Sequence, residues 1–213
     1  LKEREKTKEL NSLLESLPKS GSVSFTRQQK PLGLGHAVWC ARHFIGDEPF
    51  AVLLPDDLMA GKPGALKQMV KAYNEVGGGA VIAAEERPRS EIHRYGVIAP
   101  GAMKGNVIEV KGMVEKPPVE KAPSLLRIVG RYILPSSIFA ELERKEKGAG
   151  GEIQLTDSMQ RLIGRQPFHA VKVEGSWYDC GDKVGFLQAN LAMGLLRPDI
   201  APALRKLLDS VKA

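Results

Sequence analysis

Two short, unbroken apolar runs, FAVLL at 50–54 and AVIAA at 80–84, limit the folds open to this chain more than any other feature. A strand with one wet face alternates apolar and polar residues. A run without alternation suits a strand buried on both faces, as in a parallel sheet covered by helices. The first run breaks at Pro55-Asp56-Asp57. Pro63 then opens a helical pattern that lasts to about Val76, before Gly77-Gly78-Gly79. Upstream, Leu10, Leu13 and Leu14 fall at helical spacing within residues 1–15, and GSVSFT at 21–26 alternates like a strand. A polar loop follows, and Gly35 opens an apolar helix from His36 to Ile45. Strand, helix, strand, helix, strand is the doubly wound α/β pattern.

The second half is richer in strands. YGVIAP, NVIEVKGMVEKP, IVGRYILP, PFHAVKVEG and the short WYDCGD read as strands, with helices near Pro135–Lys145, Ile153–Ile163 and Lys183–Leu195. An amphipathic helix at Pro198–Val211 lies within a C-terminal helical segment, 198–213. No repeat, low-complexity tract or linker interrupts the chain, and its 213 residues suit one domain with a real core. The chain opens at Leu1 inside a charged, helix-like run, which reads as the remainder of a longer chain.

The net charge of +6 favours an anionic partner, but no block of five like charges and no nucleic-acid reader motif accompanies it. Phosphorylated small molecules therefore fit better than nucleic acid. The apolar runs are far too short to span a bilayer, and no secretory signal opens the chain. Cys40 and Cys180 have no metal-type spacing, so a reduced, cytoplasmic setting is expected.

In an open parallel sheet, ligands bind beyond the carboxyl ends of the strands. Asp56 stands at such an end, straight after FAVLL. It can hold a divalent cation whose other positions go to phosphates and water, or it can be a turn residue, with Asp57 the better helix cap. Asp179, between Trp177-Tyr178 and Cys180-Gly181, poses the same choice. Glu115-Lys116-Pro117 closes a strand; an acid beside a base there can meet sugar hydroxyls and a phosphate, or be a surface ion pair. Tyr95-Gly96 begins another strand, and Gly96 permits close backbone approach or simply a turn. Gly33-Leu34-Gly35-His36 superficially fits a dinucleotide fingerprint. Six residues, Pro31 among them, separate it from the preceding strand, however, and Val38 fills the third glycine position. His36 and His43 have no partnered Asp or Ser in a recognisable triad.

Taken together, RQQKPLGLGHAVWCA, GDEPFAVLLPDD, YGVI, VEKP, IVGRYIL, GEIQLTD and YDCGDKVGFLQA resemble the bacterial UTP–glucose-1-phosphate uridylyltransferases, in family order across residues 25–190. The resemblance implies a Rossmann-like α/β nucleotidyltransferase fold, with a mixed central sheet and a β-rich extension over the sugar. It implies that Gln28 and Gly33 contact the uracil, and that Asp56 and Asp179 bind Mg2+. Tyr95, Gly96, Glu115 and Gly130 would contact glucose, Lys116 its phosphate, and Glu152 would shape the sugar side. UTP, glucose-1-phosphate and UDP-glucose are the implied small-molecule partners, in a homodimer or homotetramer. The family's Gly-rich G-x-G-T-R loop, its first strand and a second basic segment do not occur in these residues, so an N-terminally truncated single domain is expected. A thymidylyl- or adenylyltransferase, and a non-catalytic sugar-phosphate-binding or oligomerisation fragment, stand as alternatives.

Overall fold

The computed structural model describes residues 6–211, which fall into two units, one up to Pro31 and one from Leu32 onward. In the first, α1 (Thr7–Ser16) turns over the leucine-bearing segment and ends before Pro18, leaving Leu13, Leu14 and Leu17 about half exposed. Residues 22–26 form no strand and lie exposed, which corrects the expectation for GSVSFT. Alternation alone does not make a strand; a ladder needs a neighbour.

The second unit is built on a six-stranded mixed sheet. Its strands are β1 (Phe50–Leu53), β3 (Ala80–Glu86), β4 (Gly96–Lys104), β5 (Val107–Glu115), β6 (Leu126–Leu134) and β7 (Phe168–Lys172), in the order β1-β6-β3-β7-β5-β4. Only β3 and β7 run parallel; the other pairs are antiparallel. A separate two-stranded sheet joins β2 (Asp57–Ala60) to β8 (Ser176–Asp179).

β3 bears out the unbroken apolar run: residues 80–84 are all buried. Its alternate side chains serve two cores. Ala80, Ile82 and Ala84 pack with Val38 of α2 (Leu34–Cys40), Ile138 and Leu142 of α5 (Ile138–Glu143) and Met159 of α6 (Leu155–Gln160). Val81 and Ala83 pack with Ala65, Met69 and Ala72 of α4 (Ala65–Glu75) and with Trp177. Burying the larger of these side chains, at ~1.5–3 kcal/mol each, helps hold sheet and helices together against chain entropy.

β1 departs from its expectation. It pairs antiparallel with β6 alone, and its burial alternates, with Ala51 and Leu53 exposed. An apolar run this short cannot report whether both faces are covered. The helix expected from His36 to Ile45 divides at Ala41 into α2 and α3 (Arg42–Ile45). Two further helices close the chain, α7 (Lys183–Leu195) and α8 (Ala201–Ser210), both where apolar spacing put them. Asp182 caps α7, its Oδ1 accepting the N–H groups of Val184 and Gly185. Among the described residues no helix is long and apolar enough to cross a membrane.

Candidate active site

The Pro55-Asp56-Asp57 break is not a helix start but a tight passage from β1 into β2. Asp57 therefore caps no helix; it is the first residue of β2 and pairs in register with Asp179 of β8. The main-chain N–H of Cys180 donates to Asp56 O at 2.7 Å. Two chain segments more than a hundred residues apart are thus laced together where each carries its aspartate. Asp56 Oδ2 and Asp179 Oδ1 each lie 3.2 Å from the position a Cβ would take on Gly181. The two carboxylates therefore stand no further apart than twice that distance.

Asp56 and Asp179 border a cleft of about 280 Å3, whose wall also includes Tyr95, Gly96, Glu115, Lys116 and Gly130. The structure brings these sequence-selected residues together from the ends of several strands. β4 and β5 are registered so that Gly96 faces Glu115, and Lys116 N donates to Tyr95 O at 3.1 Å. Glu115 Oε2 accepts a 2.6 Å hydrogen bond from Thr156 Oγ1 on α6. A Cβ on Gly96 would stand 3.0 Å from that oxygen and 3.2 Å from Thr156 Oγ1, so a side chain there would press on this hydrogen bond. Lys116 adopts φ 46, an unusual conformation for a residue with a side chain, and its Nζ lies 4.0 Å from Glu115 Oε1. Such outliers collect where surrounding structure dictates a side chain's aim.

Gly130 lies on β6 with its polar groups consumed internally. Its N–H donates to Asp57 Oδ2 at 3.0 Å, and its carbonyl accepts from Leu54 N at 2.8 Å. A Cβ there would stand 2.5 Å from Asp57 Oδ2. Gly33 and Glu152 lie beside one another rather than in the cleft wall: a Cβ on Gly33 would meet Glu152 Cβ and the Ile153 backbone at 2.8 Å. Leu32 O accepts Ile153 N–H and Ile153 O accepts Gly35 N–H, which staples this loop to the segment before α6. Gln28, partly buried, belongs to the first unit.

The electrostatics separate the aspartates. Burial pushes the Asp57 carboxyl above its ordinary range, against the pull of Arg127 and the Gly130 N–H; the charges of Asp56 and Asp179 push it further up. Its Oδ1 is buried without a hydrogen bond. Asp56, by contrast, is exposed. Burial also raises the Tyr95 phenol, whose Oη lies 3.4 Å from Asp179 Oδ2. Arg94 Nη2 stands 3.9 Å from both Asp179 and Asp182.

Motif reading passed over several contributors. Thr156 sat inside GEIQLTD without a role. Arg127, one of two arginines in the largely apolar run LRIVGRYIL, was the available signal for a buried cation. Arg131, also in that run, donates to Leu54 O and Asp57 O and so braces the turn that carries Asp56.

The oxygen-only character of Asp56 and Asp179 suits a hard divalent cation. Among the described residues no cluster of three or more His, Cys, Asp or Glu is arranged to hold a metal by itself. A two-carboxylate site leaves most coordination positions to ligand phosphates and water.

Comparison with known proteins agrees with this architecture. The chain is 43% identical over 211 residues to the UTP–glucose-1-phosphate uridylyltransferase YngB of Bacillus subtilis (strain 168), an alignment covering 99% of this chain and 70% of that relative. It matches the structure of a UDP-glucose pyrophosphorylase complexed with UDP-glucose at a TM-score of 0.79 and 40% identity, over 82% of this chain and 66% of that one. It also matches UTP-bound UGPase from Acinetobacter baumannii at a TM-score of 0.84 and 36% identity, over 99% and 73% of the two chains. The chain thus spans about two thirds of the length of these relatives. A family model described as nucleotidyl transferase matches residues 2–194, nearly the whole chain, and this protein therefore belongs to the nucleotidyl transferase family.

Proposed function

We propose that this chain carries the sugar-phosphate and metal half of a UTP–glucose-1-phosphate uridylyltransferase, joining UTP and glucose-1-phosphate into UDP-glucose and pyrophosphate. The observation that carries the reading is convergence. Asp56, Tyr95, Gly96, Glu115, Lys116, Gly130 and Asp179 come from separate stretches of sequence and border one cleft. The names of the relatives, and the UDP-glucose and UTP bound by the matched structures, support the same substrates.

In the reaction, a phosphate oxygen of glucose-1-phosphate attacks the α-phosphorus of UTP. The new P–O bond forms as the bond to the β-phosphate oxygen breaks, and pyrophosphate leaves. No protein nucleophile is needed, because the substrate phosphate already carries the charge. The obstacle is repulsion between two polyanions, and positioning with electrostatic stabilisation removes it. Lys116 holds the attacking phosphate. Glu115, kept in place by Thr156, accepts from sugar hydroxyls, and the bare backbone of Gly96 and Gly130 lets the sugar approach closely. Asp56 and Asp179 would hold Mg2+, which supplies charge neutralisation across the phosphates when bound. Gln28 and Gly33 are proposed to meet the uracil, and Glu152 to shape the pocket beside Gly33.

The proposed assignment treats residues 1–213 as one nucleotidyltransferase domain with 198–213 as its C-terminal helix. Assembly as a homodimer or homotetramer is supported by the exposed Phe186 and Leu187 of α7. Cys40 and Cys180, which are not joined in a disulfide, suit a cytoplasmic setting.

The test is Asp56→Ala in the full-length protein. This exposed side chain carries no packing role, so the variant should fold with the wild-type melting temperature and form no detectable UDP-glucose. Near-normal product formation by that variant would reject the assignment.

A further inference from the structure

In the wall of the cleft lies a charge that the proposed reaction does not use. Arg127 is 1% exposed, one of the largest fully buried side chains in the protein. It stands on β6 directly across from Glu85 of β3, whose Oε2 accepts a 2.9 Å hydrogen bond from Arg127 Nε and lies 2.9 Å from Nη2 as an ion pair. Arg87 Nε reaches the same oxygen at 3.2 Å. Above, the Arg127 guanidinium lies 4.5 Å from the centre of the Tyr95 ring. To the side, its Nη1 is 3.9 Å from Asp57 Oδ1, while the other oxygen of Asp57 holds the Gly130 N–H. One rigid, planar cation thus touches Tyr95 and the aspartate that anchors Gly130, two of the positions expected to meet the sugar.

Burying an arginine is unfavourable unless its partners are fixed, and a buried ion pair by itself is weak evidence for stability. The geometry here gives a more specific return. Glu85 holds the guanidinium, its plane backs the Tyr95 ring, and its Nη1 faces Asp57, whose other oxygen anchors Gly130. The structure assigns to Arg127 the role of a positioning residue that sets the sugar-phosphate face of the cleft, through Tyr95 on one side and the Asp57–Gly130 pair on the other. The inference rests on the proposed transferase reading and deepens it: Arg127 governs the use of the sugar phosphate and not that of the nucleotide.

The test compares wild type, Arg127→Lys and the double variant Glu85→Gln/Arg127→Met in the full-length protein, with steady-state kinetics for glucose-1-phosphate and for UTP separately. Lysine keeps the charge but loses the fork and the flat face. Arg127→Lys should raise KM for glucose-1-phosphate about tenfold with KM for UTP unchanged. The double variant removes the Arg127–Glu85 pair as a unit, which costs less than removing either charge alone, and the folded protein should show the same selective rise. Tyr95→Leu adds a second readout: its effect on glucose-1-phosphate KM should shrink in the Arg127→Lys background, because both changes break one contact. Unchanged glucose-1-phosphate KM in a folded double variant, or equal rises for both substrates, overturns the inference. Failure of the wild type to form UDP-glucose refutes the transferase reading instead, and binding of glucose-1-phosphate by calorimetry then tests Arg127 by the same comparison.

Discussion

Asp56 and Asp179 converge beside Gly181: an atom placed as Cβ on that glycine would stand 3.2 Å from an oxygen of each. The bare glycine thus leaves room next to both proposed cation ligands. Gly181→Ala is therefore a probe of the site that changes neither carboxylate. The added methyl should push one of them aside, lowering turnover about tenfold and raising the Mg2+ concentration needed for half-maximal rate. A Mg2+ titration of activity, with Mn2+ binding followed by electron spin resonance, checks it. Wild-type metal dependence in that variant would separate the two aspartates from the cation.

Lys116 combines an unusual backbone with an amine at the cleft. Asparagine tolerates the left-handed region better than most residues. Lys116→Asn should thus keep the backbone and the stability while removing the ammonium, and KM for glucose-1-phosphate should rise about tenfold or more. Equal kinetic constants for the variant and the wild type would remove Lys116 from the site.

Asp57 makes stability depend on pH in a direction that can be stated. Its carboxyl is raised above 3.8 mainly by burial, so the folded protein retains a proton that the unfolded chain has already lost. The stability this confers is full below 3.8 and is lost as pH rises through the folded-state value. Asp57→Asn removes the titration and keeps an oxygen able to accept from Gly130 N–H. The melting-temperature difference, wild type minus variant, should fall with rising pH across that window. A difference that stays flat or grows contradicts the burial argument.

Glu141 behaves oppositely. Burial disfavours its charge, but hydrogen bonds from Arg161 and Arg165 and the nearby Arg144 outweigh that, so its carboxyl titrates below 4.5. Arg161 Nε and Arg165 Nη1 donate to it at 2.9 and 2.6 Å, tying α5 to the segment that follows α6. Its stabilisation is present above 4.5 and disappears as pH falls through the folded-state value. Glu141→Gln should cost about 2 kcal/mol at neutral pH. Urea unfolding at pH 7 and at pH 3 should show that loss at the first and little at the second.

How much of this was legible follows from what kind of signal each element gives. AVIAA at 80–84 was readable because burial on both faces leaves an unbroken run. The motif ends YGVI, VEKP and YDCGD were readable because they place Tyr95, Glu115 and Asp179 at strand termini. β2 was not readable: Asp57-Leu58-Met59-Ala60 has no strand-like pattern, and its only partner, β8, lies over a hundred residues downstream. Arg127 was visible as an anomaly in LRIVGRYIL, but its partners on β3 and at Tyr95 exist only after the sheet pairs. Glu152 and Gly33 carried motif identity without position, and the structure sets them side by side rather than in the cleft wall.

The brace formed by Arg131 has a consequence for assembly. The turn bearing Asp56 owes its shape to a guanidinium whose two ends hold Leu54 O and Asp57 O. A peptide covering residues 50–60 would contain both aspartates of the turn and still present no chemistry. The turn takes its shape only where β6 lies beside it, so the local sequence and its distant brace act as one unit.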